Sequence, residues 1–400
     1  MNSGKTTLEV IDSSELLSPR PFFVFRPHTL EKSISFFKQN FNATNLYAVK
    51  TNPDVAVLNH MYDSGINSFD VASLDEIELI HGLFPDAKMF FMHPVKSRDA
   101  IKEAYFTYGV RDFSLDSKDE LKKILKETNN AKDLNLHVRL SIPNNFAEMA
   151  LSEKFGENLQ KAPDLLAKVA AYAQKVGICF HVGSQCMHPN AYKIAIRMAG
   201  EVIEQTGIKI DYFNVGGGFP SIYPGMIPPD MKGYFEAIHQ EFARLKNHEN
   251  MQLLAEPGRA LVAECMSLIV RVDLRKGRNL YINDGTYGSL FDAGIPNFIF
   301  PVKLLCNDKV YSSDLASFSF YGPTCDSMDF MKGPFYLPSD TEEGDYIEIG
   351  QMGAYGRTMA TRFNGFSVAD DMTYVYDEPL MTMYSENQNY SHESFEVIAA

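Results

Sequence analysis

The chain has 400 residues, enough for two domains or one large barrel with an addition. Hydrophobic residues make up 45% and charged residues 22%, the balance of a soluble globular protein with a substantial core. The formal charge of -14 argues against a nucleic-acid partner, no apolar stretch is long enough to span a bilayer, and the opening MNSGKTTLEVIDSSELL has no signal-peptide core.

The first two-thirds alternate short apolar runs with helical patterns. Candidate strands in chain order are FFVF (22–25), NLYAVK (45–50), NSFDVA (67–72), KMFFMH (88–93), VRDFSLD (110–116), LHVRLS (136–141), ICFHVG (178–183), YFNVGG (212–217) and QLLAEP (252–257). The helix-like segment SLDEIELIHGLF opens on Ser73 with Glu76 three residues on, the spacing of a capping box. SKDELKKILKE and APDLLAKVAAYAQKV carry apolar residues at helical spacing, the second with Pro163 in its first turn. Repeated strand–helix units imply a parallel sheet, and their number points to a (β/α)8 TIM-like barrel over 22–258. The candidates are one more than eight, so FFVF either leads in or belongs to another domain. No GxGxxG follows an early strand, which counts against a dinucleotide fold.

After about residue 260 the texture changes. ALVAECMSLIVRVDL, NLYINDGTYG, SFSFYGP and DYIEIGQMGAYG read as strands between Gly, Asp and Pro turns. An all-β C-terminal domain is therefore expected over 259–400, joined by residues 1–21. From Ala369 the chain is acidic and has no Lys or Arg, and part of that tail is expected to be mobile. The five cysteines, Cys179, Cys186, Cys265, Cys306 and Cys325, are odd in number and form no CxxC pair, so a reducing cytoplasm is the expected setting.

The reactive side chains fall in a pattern on this map. Lys50 ends one apolar run, and Thr51, Asn52 and Pro53 break the chain behind it. A surface lysine is the ordinary explanation, but a strand-end lysine partly out of water suits Schiff-base chemistry. Asp70, His93, Arg139, His181, Ser184, the glycines 216–218, Glu256, Gly258 and Arg259 also lie at or just past strand C-termini. In a (β/α)8 barrel that is the face on which active sites are built. The turn VGGGF brings backbone amides to where an anion could sit, although tight turns use glycines as often.

Taken together, YAVKTN, SFDVAS, FHVGS, NVGGGFP, AEPGR, YGPTCDSMD and GAYG resemble the ordered motifs of the fold type III pyridoxal-phosphate-dependent decarboxylases, and most those of the ornithine/lysine decarboxylase group. The resemblance runs from about residue 20 to 366. It implies an alanine-racemase-like barrel followed by a β-domain, pyridoxal 5'-phosphate as cofactor, no metal, and a homodimer with shared active sites. By the same resemblance Lys50 holds the cofactor covalently, and His181 stacks on its ring. Ser184, Gly216, Gly217, Gly218, Gly258, Arg259 and Tyr355 bind its phosphate. Glu256 pairs with the pyridine nitrogen, and Asp70, Glu76 and Arg139 are polar neighbours of the ring and of Lys50. Cys325 and Asp326 serve the partner subunit's site.

The chemistry agrees with that assignment. Loss of CO2 leaves charge on the α-carbon, which the cofactor accepts only while its ring nitrogen stays protonated. The acid Glu256 favours that state, whereas an arginine would suit racemisation. Cys325 is a candidate to return a proton to the α-carbon. Asp326 could pair with the distal ammonium of a diamino acid. Asp292 is a second candidate for that role, or a turn aspartate, and Tyr287 is counted with the substrate-binding set. Diaminopimelate decarboxylases typically follow the cysteine with Glu and carry an arginine in the stretch that here reads TYGSLFDAGIPNF, which has none. The expected reaction is decarboxylation of L-ornithine to putrescine, with lysine or both, or another fold III decarboxylase substrate such as carboxynorspermidine or diaminopimelate, as alternatives. A non-enzymatic regulatory homologue is disfavoured, because Lys50, the three glycines and Cys325 are all present. Gln185 stands where eukaryotic members commonly have glycine, and Gly356 where they have threonine.

Overall fold

The computed structural model describes residues 5–12, 20–143, 146–149, 154–305, 309–366 and 369–384. The chain divides into two compact units. One holds Phe37–Pro220 and Pro228–Gly258, and the other Met1–Phe36, Ser221–Ile227 and Arg259–Ala400.

The first unit is the barrel. Its parallel strands are Ser68–Val71, Lys88–Phe91, Asp112–Leu115, Asn135–Arg139, Lys175–Cys179, Tyr212–Asn214 and Gln252–Ala255, closed by a strand in two halves, Thr44–Asn45 and Tyr47–Ala48. The break at Leu46 lets one half pair with Leu254 and Ala255 and the other with Phe69 and Asp70. Bonds from Leu46 N–H to the Ala255 carbonyl (2.8 Å) and from Ala48 N–H to the Pro257 carbonyl (3.3 Å) complete the seam. Five of the helices between strands start at a side-chain cap, whereas Ala162–Ala170 and Asn190–Thr206 have none. Asp54, Ser73, Ser97, Ser117 and Asp230 each accept from an early backbone N–H of the helix that follows. The capping box at Ser73 has a variant form, because Glu76 reaches past the cap to the Ala72 N–H at 2.7 Å.

Leu46, Phe90, Met92, Cys179, Tyr212 and Leu254 pack as one cluster among the barrel strands. Each fully buried Leu or Phe there stabilises by about 1.5–3 kcal/mol. His137 is fully buried, bonded through Nε2 to Asp112 (3.0 Å) and stacked on Tyr212 at 5.3 Å between centroids. The neighbouring strand has glycine at 177, because any Cβ there would run into the imidazole of His137.

The second unit is a mixed sheet in the order Val302–Leu305, Tyr346–Ile349, Met266–Lys276, Asn279–Ile282, Leu315–Tyr321 and Phe330–Pro338. Phe22–Phe25 pairs with Met266–Ile269 and with Met372–Tyr374, so it belongs to this unit and the expected barrel start at 22 lies outside the barrel. The physical reason is the fully buried Arg26 that follows it. Arg26 bonds Ser267, Thr7, Glu348 and Asp377, and a buried guanidinium needs all such partners. A second departure concerns ALVAEC, expected as the start of a strand. Residues 259–265 are a short helix, Arg259–Val262, and a 3-10 turn, Ala263–Cys265, and the strand begins at Met266.

Among the described residues Cys179, Cys186 and Cys265 are buried free thiols and Cys325 is an exposed one. Cys306 and most of the acidic tail after Tyr384 lie outside the described residues. No helix among the described residues is long and apolar enough to cross a membrane.

Candidate active site

In the barrel unit the chemistry collects where the strands end. Lys50 lies in the 3-10 turn Val49–Thr51 directly behind Tyr47–Ala48, rather than on the strand itself. That turn is set by two bonds, Asn52 N–H to the Val49 carbonyl (3.1 Å) and the Tyr47 hydroxyl to the Asn52 carbonyl (2.9 Å). Gly258 packs against Thr51, where a Cβ would clash with its hydroxyl. The Lys50 ammonium lies 3.1 Å from the buried Asp70 carboxylate, with 45% of the lysine side chain still exposed.

Glu256 is buried, and its Oε1 accepts from Asn214 Nδ2 at 2.7 Å. Asn214 spends its other end on the Gly216 N–H at 2.8 Å, an Asx-type bond to the residue two further on. One amide therefore orients the acid and the glycine turn together. Sequence reasoning passed over Asn214, although an Asn two residues before a glycine run is itself a turn signal. Burial, first, and the nearby Asp70 carboxylate push the Glu256 carboxyl up to about 7, against the opposing pull of Lys50, Arg139 and Asn214. Burial likewise raises Glu76 to about 7.

The half-buried His181 accepts the Gly183 N–H on Nδ1 at 3.0 Å, which places its proton on Nε2. Burial and the cationic Arg139 and Lys50 hold its pKa well below the usual range, so the ring is neutral. Arg139 lies over the ring of Phe155 at 5.5 Å, and His93 meets the same ring edge-on at 5.1 Å. Phe155 is a second residue that sequence reasoning passed over.

The three glycines are dictated by space. Gly216 (φ 69°) and Gly218 (φ 99°) are left-handed, with Gly217 between them. A Cβ at 217 would stand 2.6 Å from the Glu256 carbonyl oxygen and 3.0 Å from His181 Nε2. A Cβ at 216 or 218 would drive into the Phe180 or Gly183 carbonyl. Glycine turns of this kind form anion nests, and here the Gly216 N–H is already taken by Asn214. Ser184 opens a short strand, Ser184–Cys186, that pairs with Ala147–Met149. Gln185 is left-handed (φ 53°), the conformation that glycine adopts freely and glutamine does not.

In the other unit Arg259 is 4% exposed. It donates to the Tyr223 hydroxyl (2.8 Å) and to Asp292 Oδ2 (3.1 Å), and lies over the rings of Tyr355 (5.0 Å) and Phe298 (5.2 Å). Its Nε–H has no hydrogen-bond partner. Asp292, weighed from sequence as an ammonium partner, is thus occupied as the counter-ion of this arginine. Tyr223 was not singled out at all, because its partner is distant in sequence. Cys325 and Asp326 lie on the loop between Leu315–Tyr321 and Phe330–Pro338. Asp326 accepts the Tyr287 hydroxyl (2.6 Å) and the Met328 N–H (3.0 Å), and these bonds hold its carboxyl below the usual range. The buried Asp329 fixes the loop by accepting from Thr286 N–H (2.7 Å) and Thr324 N–H (3.0 Å).

Residues 28–263 match the family model of the pyridoxal-dependent decarboxylase, pyridoxal binding domain. The chain belongs to the pyridoxal-dependent decarboxylases. It is 32% identical to the lysine/ornithine decarboxylase of Selenomonas ruminantium, over 90% of this chain and 91% of that one. Among solved structures, the lysine/ornithine decarboxylase of Vibrio vulnificus complexed with putrescine shares 29% identity and a TM-score of 0.78, covering 92% of this chain and 98% of that one. The arginine decarboxylase of Paramecium bursaria Chlorella virus shares 27% and a TM-score of 0.80, covering 92% and 98%. Its fold is the (β/α)8 barrel plus β-domain of this decarboxylase family, and its cofactor is pyridoxal 5'-phosphate. Within the barrel unit the residues fit that group: an amine beside a buried acid, and a glycine turn no Cβ could enter.

Proposed function

We propose that this decarboxylase acts on a basic L-amino acid, with L-ornithine as substrate and putrescine as product. The observation that carries the reading is the Asp326 carboxylate, aimed by Tyr287 and the Met328 N–H and directly beside Cys325. It is a carboxylate for a distal ammonium, and the separate stretch 286–298 lacks the arginine that a second substrate carboxylate would need. Asp292, buried and ion-paired with Arg259, is the less available of the two candidates for that role.

Pyridoxal phosphate, when bound, supplies the electron sink for the charge that decarboxylation leaves on the α-carbon. The chain does the rest. Lys50 holds the cofactor covalently, with Asp70 as the counter-charge that keeps the amine in place. Glu256, oriented by Asn214, keeps the ring nitrogen protonated, and neutral His181 covers a ring face. Asp70, Glu76 and Arg139 are the polar groups about the ring and Lys50. Gly216, Gly217, Gly218, Ser184 and Gly258 take the phosphate, and Arg259 and Tyr355 are read as further phosphate ligands. The Cys325 thiol returns a proton to the α-carbon.

Lysine is the second reading, because one methylene changes binding by only about 1–3 kcal/mol and the Selenomonas relative carries both substrates in its name. We further propose a cytoplasmic homodimer in which Cys325 and Asp326 serve the neighbouring subunit. Exposure of Cys325, Met328 and Phe363 in the single chain supports this. The test is an amine-product assay with added pyridoxal phosphate on ornithine, lysine, arginine and diaminopimelate. Putrescine formation at the highest kcat/KM is expected, and a preference for diaminopimelate would reject the reading. Mixed Lys50→Ala and Cys325→Ala chains, each inactive alone, should regain activity if the sites are shared.

A further inference from the structure

The helix Arg259–Val262 is only four residues long, too short to be stable alone. What surrounds it therefore decides where Arg259 stands. Its carbonyls also need outside partners, since the last four of any helix have none within it. One brace comes from the GAYG turn just past the helix end: Gly353 N–H donates at 3.0 Å to the carbonyl of Ala263, the first residue of the following 3-10 turn, and a Cβ at Gly353 would strike the Val262 carbonyl.

The other brace comes from the last described residues of the chain. The Tyr384 hydroxyl donates to the Ala260 carbonyl at 2.5 Å, one residue from Arg259. Met383 N–H donates to Glu264 Oε1 at 2.8 Å, and Tyr384 N–H donates to the Thr382 hydroxyl at 3.0 Å. Tyr384 is 7% exposed and its ring packs on Phe36 at 5.2 Å between centroids. Its hydroxyl therefore has a fixed line of approach to that one carbonyl.

We infer that Tyr384 is a positioning residue for Arg259, setting the guanidinium for the cofactor phosphate through the Ala260 carbonyl. The inference rests on the reading of Arg259 as a phosphate ligand. The phenol touches no cofactor and no reacting atom. The arginine is sensitive to such a brace because Tyr223 and Asp292 already fix its two terminal nitrogens. A shift of its backbone is then taken up by the remaining N–H.

The test uses the full chain, stripped of cofactor and titrated with pyridoxal phosphate, with the 31P resonance of the bound phosphate as a second readout. Tyr384→Phe keeps the packing and deletes one hydrogen bond. It should weaken cofactor binding about fivefold, the effect of one such bond, and move the 31P resonance. The visible band of the lysine-bound cofactor and the KM at saturating cofactor should stay put. Thr382→Val, which removes the acceptor of the Tyr384 N–H but leaves the phenol in place, should move both readouts the same way by less. A lowered melting temperature with unchanged affinity and 31P resonance in both variants would make the contact merely structural and overturn the inference. Unchanged affinity in Arg259→Ala would overturn it by removing its target. A wild-type chain that takes up no cofactor would instead reject the functional reading itself.

Discussion

The barrel mouth and the Cys325 loop are two ways of holding reactive groups. At the mouth, Glu256 and Asp70 are buried, each short of water and each committed to a partner. On the loop, Cys325 is exposed and Asp326 is half-buried, and the hydrogen bonds they make run within their own unit. At the mouth burial displaces the Glu256 and Glu76 carboxyls toward neutral pH. On the loop the Asp326 carboxyl is instead held below the usual range, and under the proposed function its groups would act once a second subunit covers them. The proposed function uses this contrast: a desolvated cradle would fix the cofactor, and an accessible acid and anchor would serve a substrate that enters and leaves.

The sharpest way to break the comparison is to remove the amine. Lys50→Ala should reduce decarboxylation to background and abolish the visible absorbance of lysine-bound cofactor. Retained covalent cofactor would show that another lysine carries it. Gly216→Ala comes next. Strain at a left-handed φ costs about 1–3 kcal/mol, and the clash with the Phe180 carbonyl adds to it. Thermal unfolding should register the loss, together with failure to retain the cofactor. A variant that folds and binds normally would show that the cradle lies elsewhere.

The loop should respond differently, with chemistry changed and stability hardly touched. Cys325→Ala should lower kcat by about a hundredfold or more, the usual contribution of a placed proton donor, with an unaltered melting temperature. An unchanged rate and product would remove the thiol from the reaction. Asp326→Ala should raise KM for ornithine about tenfold or more, as expected for a lost charge-assisted hydrogen bond. If affinity holds, a different acid reads the ammonium.

The same contrast explains what the sequence made legible. Barrel residues could be placed because strand ends are local events: an apolar run, a breaker, and Lys50 or a glycine at the junction. Asn214 escaped because its importance comes from Glu256, distant in sequence and reached only when neighbouring strands align. Asp292 was left between an ammonium partner and a turn aspartate because nothing local reveals its ion pair with Arg259. The stretch ALVAEC was read as strand because it is buried on every side. A uniformly apolar short run has no periodicity to separate helix from strand. FFVF was ambiguous for a related reason, since its partners, Met266–Ile269 and Met372–Tyr374, lie far along the chain.

The smallest expected effect is the most specific to the mouth. A carboxyl raised from 4.5 to about 7 keeps its proton in the folded protein after the unfolded chain has released it. That difference favours the folded state fully below pH 4.5 and is lost as pH rises through 7, at up to about 1.4 kcal/mol per pH unit for one group. Glu256→Gln cannot titrate. Without cofactor, the variant should therefore lose less stability than the parent between pH 5 and pH 8 in denaturant unfolding. Part of the slope should remain, because Glu76 and Glu264 (about 7) and Asp284 (about 6) are raised by burial as well. With cofactor present the comparison should reverse. A ring nitrogen held protonated favours the ionised acid, so the parent should gain more stability from pyridoxal phosphate than the variant does. Equal gains in both proteins would mean that Glu256 does not face the ring.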